Sequence, residues 1–164
     1  MTLTKNRSDR EFAKFVEAPD SSVAIRTSTN IDNWAKASVT KTFTAADGSG
    51  NIGTVALFTV TGLIEAKLYA RCTTSLTADG AATVEVGVTG STASLIAQTT
   101  ATDIDATNIW HDATPDSPVE LDSVVTTKIL NGNIFLTVAT ANLTAGVIDF
   151  ILVYNPLSAD GKVV

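Results

Sequence analysis

The only histidine of the chain, His111, lies in Trp110-His111-Asp112, beside a loop rich in carboxylates. A serine or cysteine hydrolase needs a base that is oriented by an acid and faces a nucleophile. Because neighbouring residues on a strand point to opposite faces, the pattern predicts that Asp112 does not orient His111. The G-x-S-x-G turn of α/β-hydrolases is also missing from the sequence. We therefore expect a loop or rim histidine and no catalytic residues.

Metal and cofactor sites are not expected either. Asp103, Asp105 and Asn108 suggest calcium, but an EF-hand loop needs glycine at its sixth position and glutamate at its twelfth. Asn108 and Thr114 occupy those positions here, so the loop is not an EF-hand, while a loop metal site of another kind stays open. Zinc needs about four ligands, which one histidine and one cysteine cannot supply. The cysteine, Cys72, falls on the apolar side of a predicted strand, so we expect a small buried hydrophobic residue there.

The elements that would carry these residues are strands. Residues 64–72 alternate between apolar and polar side chains, with Ile64, Ala66, Leu68, Ala70 and Cys72 predicted to point inward. Residues 83–89 and 119–129 show the same period, the latter with Val119, Leu121, Val125 and Ile129 inward. Further strands are predicted near 39–44, 54–61, 94–99, 107–111, 133–140 and 147–154, the last buried on both faces.

Turn signals separate these segments. Ala-Asp-Gly recurs at 46–48, 78–80 and 159–161, and Asn131-Gly132 predicts a type I′ hairpin. Regularly spaced short strands of this kind are typical of a sandwich or barrel. The sequence therefore predicts an all-β fold over residues 39–164, an antiparallel β-sandwich for which we favour a jelly-roll-like topology.

Residues 1–38 form a predicted N-terminal arm of different character. Ser8 and Glu11 have capping-box spacing, Phe12, Phe15 and Val16 form one apolar stripe, and Pro19 ends the pattern. We expect one short helix, followed by a strand-like piece at 23–26 and a connector that includes Trp34. The helix would pack either on the protein's own body or on another subunit. Residues 1–41 carry a net charge of +2 and residues 42–164 one of −8, so the two parts suit different surroundings.

Composition limits the function classes. The net charge of −6 argues against a general nucleic-acid binder, and no apolar run approaches the ~20 residues that span a bilayer. The polar first ten residues do not resemble a secretory signal, and one cysteine cannot form an intrachain disulfide, so we expect synthesis in a reducing cytosol.

The segment Arg10-Glu-Phe-Ala-Lys-Phe-Val-Glu-Ala-Pro-Asp-Ser-Ser-Val-Ala-Ile-Arg26 resembles the opening of small tailed-bacteriophage virion proteins. Ala66-Lys-Leu-Tyr-Ala-Arg71, Ile109-Trp110 and Phe150-Ile-Leu-Val-Tyr154 are similar to the β-sandwich of phage head-decoration and spike-base proteins. The resemblance implies a non-enzymatic structural protein of the virion, assembled in the bacterial cytoplasm. It also implies that the arm binds other virion proteins and that the chain forms homo-oligomers, trimers among them.

On this interpretation the apolar residues of the arm provide anchoring by burial, and its basic residues steer it toward an acidic surface. The predicted interface residues are Phe12, Phe15, Val16, Ile25, Trp34, Arg10 and Lys14. A receptor- or carbohydrate-binding module is the alternative, with Tyr69, Trp110, Asp103, Asp105 and Asp112 as its candidate residues. A hydrolase built on His111 and Asp112 is a third, weaker hypothesis.

Overall fold

The computed structural model describes residues 34–116, 118–119 and 125–164. This part contains eleven strands and one short 3-10 helix, Ala101–Asp103. The strands are β1 (Ala35–Thr44), β2 (Gly53–Phe58), β3 (Val60–Thr61), β4 (Ile64–Ala78), β5 (Thr83–Val88), β6 (Ser91–Thr100), β7 (Ile109–Trp110), β8 (Lys128–Leu130), β9 (Ile134–Ala139), β10 (Leu143–Pro156) and β11 (Lys162–Val163). The all-β class is thus confirmed, while the predicted arm helix lies outside the described residues.

Two antiparallel sheets make up most of the body. Sheet A has the order β1-β10-β4-β7, with β8 also paired to β4, and sheet B has the order β2-β9-β5-β6. The pairing is nested, because β1 pairs with β10, β2 with β9, β4 with β7, and β5 with β6. A small third sheet joins β11 to β3 near the C-terminus.

The inner faces of both sheets contribute to one hydrophobic core, which gives a β-sandwich-like architecture. The predicted alternation along 64–72 is confirmed, since its five inward residues are all buried. The largest fully buried side chains include Trp110, Phe43 and Phe150. Burying such side chains stabilises the fold by about 25 cal/mol per Å² of apolar surface removed from water.

The predicted strand at 119–129 is wrong in its length and for two of its inward residues, while a third, Val125, is buried as predicted. In the described part of this stretch, β8 is the only strand, and it begins at Lys128. Val119 and Ile129, both predicted inward, are 75% and 67% exposed, whereas Leu130 is buried. Because side chains alternate with a period of two, placing Leu130 in the core turns Ile129 to the solvent side.

The predicted hairpin at Asn131-Gly132 is also wrong. These residues follow β8, which pairs with β4 in sheet A, and precede β9, which lies in sheet B. The connection therefore crosses between the sheets. The neighbouring Asn133 helps to fix it, because its Oδ1 accepts a hydrogen bond of 2.9 Å from the Val60 N–H.

Candidate functional site

The outer face of sheet A points away from the core and consists of alternate residues of β1, β10 and β4. These residues are exposed or half-buried, while their neighbours along β4 and β10 are mostly buried. In register from β1 through β10 to β4, its rows are Lys36–Val153–Lys67, Ser38–Ile151–Tyr69 and Thr40–Asp149–Arg71.

One row of this face is a polar bridge across three strands. The Asp149 carboxylate accepts a hydrogen bond of 2.7 Å from the Thr40 hydroxyl through Oδ1, and its Oδ2 lies 3.3 Å from an Arg71 guanidinium nitrogen. Exposed ion pairs contribute little stability, with typical values of about 0–1 kcal/mol. The bridge therefore defines the geometry of the face more than it stabilises the fold.

The same face is unusually apolar along its central strand. Val147, Ile151 and Val153 of β10 are only half-buried, although the sequence predicted burial on both faces of this strand. The prediction is wrong for the outer side of β10, because the described residues cover only its inner side, where Ile148 and Phe150 are buried.

Large apolar side chains also gather at one end of sheet A. We call Trp34, Leu63, Ile129 and Leu157 the apolar end; all four are exposed. Trp34 directly precedes β1, and Ile129 lies opposite Glu65 near the start of β4. The Leu157 N–H donates a hydrogen bond of 2.9 Å to the Leu63 carbonyl oxygen, so both follow the same end of the sheet. Grouped exposed apolar residues mark interaction sites more often than single ones do.

Of the predicted interface residues, the structure describes Trp34 alone. Its side chain is 37% exposed at the point where the chain enters β1. The other six residues, which are Arg10, Phe12, Lys14, Phe15, Val16 and Ile25, lie outside the described residues.

His111 is a buried loop residue, so the expectation of a loop holds and that of an exposed rim does not. Its side chain is 2% exposed, and its Nε2 lies 3.5 Å from an Asp112 carboxylate oxygen. The prediction that Asp112 points away from His111 is wrong, because both residues follow β7 in a bend where strand alternation no longer applies. Burial leaves little room for a substrate at this imidazole.

Trp110 is fully buried and cannot offer a surface for sugar stacking, which removes it from the carbohydrate-binding candidates. Its ring meets Phe150 edge-on, with centroids 6.3 Å apart. Its indole Nε1–H donates a hydrogen bond of 2.8 Å to the Thr99 hydroxyl. Tyr69 is half-buried on the outer face of sheet A, so with Trp110 in the core the predicted sugar site lacks its second aromatic surface.

The loop with Asp103 and Asp105 is held by its own hydrogen bonds. The Asp105 N–H donates to Asn108 Oδ1, and the Asn108 carbonyl oxygen accepts from the Cys72 N–H at 2.9 Å. Within the described ranges, no three His, Cys, Asp or Glu side chains are grouped closely enough to hold a metal ion.

Cys72 is buried, as predicted, and its thiol lies within hydrogen-bonding distance of the Thr74 and Ile104 carbonyl oxygens. Burial is the main cause that raises the pKa of this thiol above its ordinary value. A raised pKa disfavours the thiolate, which is the reactive form. Cys72 therefore has a packing role.

Two surface pockets were not predicted. The first, of about 380 Å³, lies beside the end of β1 and the start of β2 and includes Phe43 and Ile52 in its lining. The second, of about 320 Å³, lies over sheet B and is lined by Phe135 and Gly87 together with Thr54, Thr89, Thr92 and Thr137. The alternation of Phe135 with buried Ile134 and Leu136 was the available sequence signal for an outward aromatic ring.

The chain matches no protein-family model, no curated protein and no solved structure in the comparisons made. Among the residues that the structure describes, no helix has the length and apolar character needed to cross a membrane.

Proposed function

We propose that this protein is a non-enzymatic structural component of a bacteriophage particle, as a capsid decoration protein or as part of a head or tail spike or fibre base. In this role the arm at residues 1–38 anchors the chain to other virion proteins, and the body faces outward. The observation that carries the proposal is the apolar end of sheet A, where Trp34, a predicted anchoring residue, lies with Leu63, Ile129 and Leu157.

We propose in addition that the body is a jelly roll. The nested pairing of first strand with last, second with seventh, third with sixth and fourth with fifth supports this topology, if the short β3, β8 and β11 are set aside. Jelly rolls recur in viral capsid proteins, but also in lectins and cupins. Because one fold can carry many functions, the topology supports the virion role by analogy alone.

The direct test is mass spectrometry of phage particles that are produced by the bacterial strain carrying the gene and are then purified by banding in caesium chloride. We expect the chain in the banded particles at a fixed ratio to their major shell protein. Finding it only in the soluble fraction would refute the proposal. A variant that lacks residues 1–30 tests the arm, since anchoring predicts that this variant is made and stays out of the particle band.

A receptor- or carbohydrate-binding module is the second candidate, and the pocket at Phe135 is the observation that favours it. An aromatic ring flanked by the hydroxyls of Thr54 and Thr137 offers one stacking surface with polar neighbours. A glycan array probed with the full-length protein tests this function. Binding that disappears in Phe135→Ala, with the fold retained, would support it, and an array without hits would count against it.

A further inference from the structure

Strand β1 presents a long open edge. It is the outer strand of sheet A and, within the described residues, pairs with β10 alone. Its ten residues pair without a bulge and include no proline. Sheet edges of natural proteins are usually shortened, bulged, blocked by proline or charged, because an open edge accepts further strands. Here only Lys36 and Lys41 limit such pairing.

The hydrogen bonds at the end of β1 identify the backbone groups on this edge. The Ala45 N–H donates to the Thr144 carbonyl oxygen at 3.1 Å, in continuation of the β1–β10 register. The Thr44 N–H instead donates to the Ser49 hydroxyl at 2.9 Å. Since bonded and non-bonded residues alternate in an antiparallel pair, odd-numbered residues of β1 bond to β10. The N–H and C=O groups of Lys36, Ser38, Thr40 and Thr42 therefore point to the open edge.

The described residues cover the core only in part along this edge. Ala37 and Val39 of β1 pack against the core but are only partly buried, and so is Val55 of the outer strand of sheet B. A strand added beside β1 would place further side chains next to them.

We propose that β1 of a second copy of this chain fills the edge, antiparallel and related by a two-fold axis through Val39. This register sets Lys36 opposite Thr42 and Ser38 opposite Thr40, so that all four edge residues pair and about eight backbone hydrogen bonds form. Lys41 lies opposite Ala37, which keeps like charges apart. Centring the axis on Thr40 would require the Thr44 N–H, which Ser49 already binds.

The same register brings Trp34 of the second copy opposite Thr44. That position lies beside the pocket of about 380 Å³, whose lining includes Thr42, Phe43 and Ile52. If the alternation of β1 is extended by one step, Trp34 belongs to the even-numbered set, so its indole would lie on the outer face beside the Thr44 end of the partner's β1.

The proposed dimer depends on the edge geometry of β1 and not on a role in a virion. A two-fold pairing gives dimers or even-numbered assemblies, whereas the resemblance to phage proteins implies trimers among the possible forms. The native mass therefore separates the two.

The first test is light scattering of the full-length protein on a sizing column, with Ser38→Pro and its control Ser38→Ala. We expect a wild-type mass of at least twice 17.1 kDa, in an even multiple of the chain mass. Proline removes the edge-facing N–H of residue 38 but no bond to β10, whereas alanine keeps that N–H. Two hydrogen bonds are lost per dimer, so we expect Ser38→Pro to raise the dimer Kd at least about tenfold and Ser38→Ala to leave it nearly unchanged. A wild-type monomer or trimer, or a dimer that Ser38→Pro leaves intact, would overturn the proposal.

The second test fixes the register and does not depend on the proline variant folding. In Val39→Cys the two new thiols lie opposite each other at the axis, with Cα atoms about 4.5 Å apart, within the range for a disulfide. In Ala37→Cys, the matched control, four residues separate the thiols along the strands, about 13 Å. We expect mild oxidation to cross-link Val39→Cys into a dimer and to leave Ala37→Cys uncross-linked. The opposite pattern, or no cross-link in either variant, would refute this register; pairing of β1 with the chain's own residues 23–26 predicts no cross-link.

Discussion

The hydrogen bond between Trp110 and Thr99 gives the sharpest prediction about the core. Trp110 is fully buried and Thr99 is 3% exposed, and the indole Nε1–H donates to the Thr99 hydroxyl at 2.8 Å. Thr99→Val removes this acceptor while it nearly keeps the volume of the side chain. The indole N–H then lies in an apolar interior without its partner. Leaving a buried donor unsatisfied costs about 1–3 kcal/mol.

We expect Thr99→Val to lower the free energy of unfolding by that amount, and the Tm by about 2–10 °C in a chain of this size. Urea denaturation followed by far-UV circular dichroism measures the change. Thr99→Ser is the matched control, because it keeps the acceptor, and it should lose less than Thr99→Val. In a Trp110→Phe background the same substitution should cost less, since no donor remains. A loss below about 0.5 kcal/mol for Thr99→Val, or equal losses in both backgrounds, would refute the reasoning.

Three further predictions concern a turn near the C-terminus, a glycine of β5 and the thiol. The Ser158 hydroxyl donates to the exposed Asp160 carboxylate at 2.7 Å and is the main cause that lowers the pKa of Asp160. At pH values above the ordinary pKa of aspartate, the ionised carboxylate therefore stabilises the fold. This effect is lost as the pH falls below about 4, so the Tm difference between wild type and Asp160→Asn should shrink there. Gly87→Ala should destabilise the protein strongly in thermal unfolding, because a Cβ would overlap the Ser91 carbonyl oxygen, whereas Gly90→Ala meets no atom within 4 Å and should cost only the strain of its positive φ of 83°. Native Cys72 should react with a thiol reagent only after urea is added, and rapid labelling of the folded protein would contradict its burial.

The strands that could be predicted from the sequence are those that pack one face on the core. Ile64 to Cys72 alternate without interruption, and the structure buries the predicted set. Near 119–129, apolar residues occur at both odd and even positions. The period of two alone therefore could not select the buried face, which in β8 is the face of Leu130. Asn131-Gly132 carries a strong local turn signal, yet the crossing between sheets depends on contacts that are distant in sequence, such as that of Asn133 with Val60.

The candidate surface could be predicted less well from the sequence than the core strands. The proposed edge depends on which strand lies outermost, and the order β1-β10-β4-β7 places residues 35–44 there only because β10 returns from the far end of the chain. Trp110 was a candidate for an exposed ring in the sequence, and the structure buries it. Its polar neighbours His111 and Asp112 suggested a rim, but a hydrogen bond to Thr99 and an edge contact with Phe150 hold the ring in the core.

The difference between the pattern of β10 and its burial bears on both proposals. A strand with apolar residues on both faces suits a sheet covered on both sides, as in the interior of a layered fold. Here Ile148, Phe150 and Leu152 are buried, while Val147, Ile151 and Val153 keep part of their surface exposed. The half-exposed set lies next to β1 in register, so pairing at the β1 edge would join two such faces into one surface across the two-fold axis. A surface of that kind is larger than either copy offers alone, and it would bring both apolar ends to the outer face of one continuous sheet. Association of two chains would therefore enlarge the apolar surface on which the proposed attachment to other virion proteins depends.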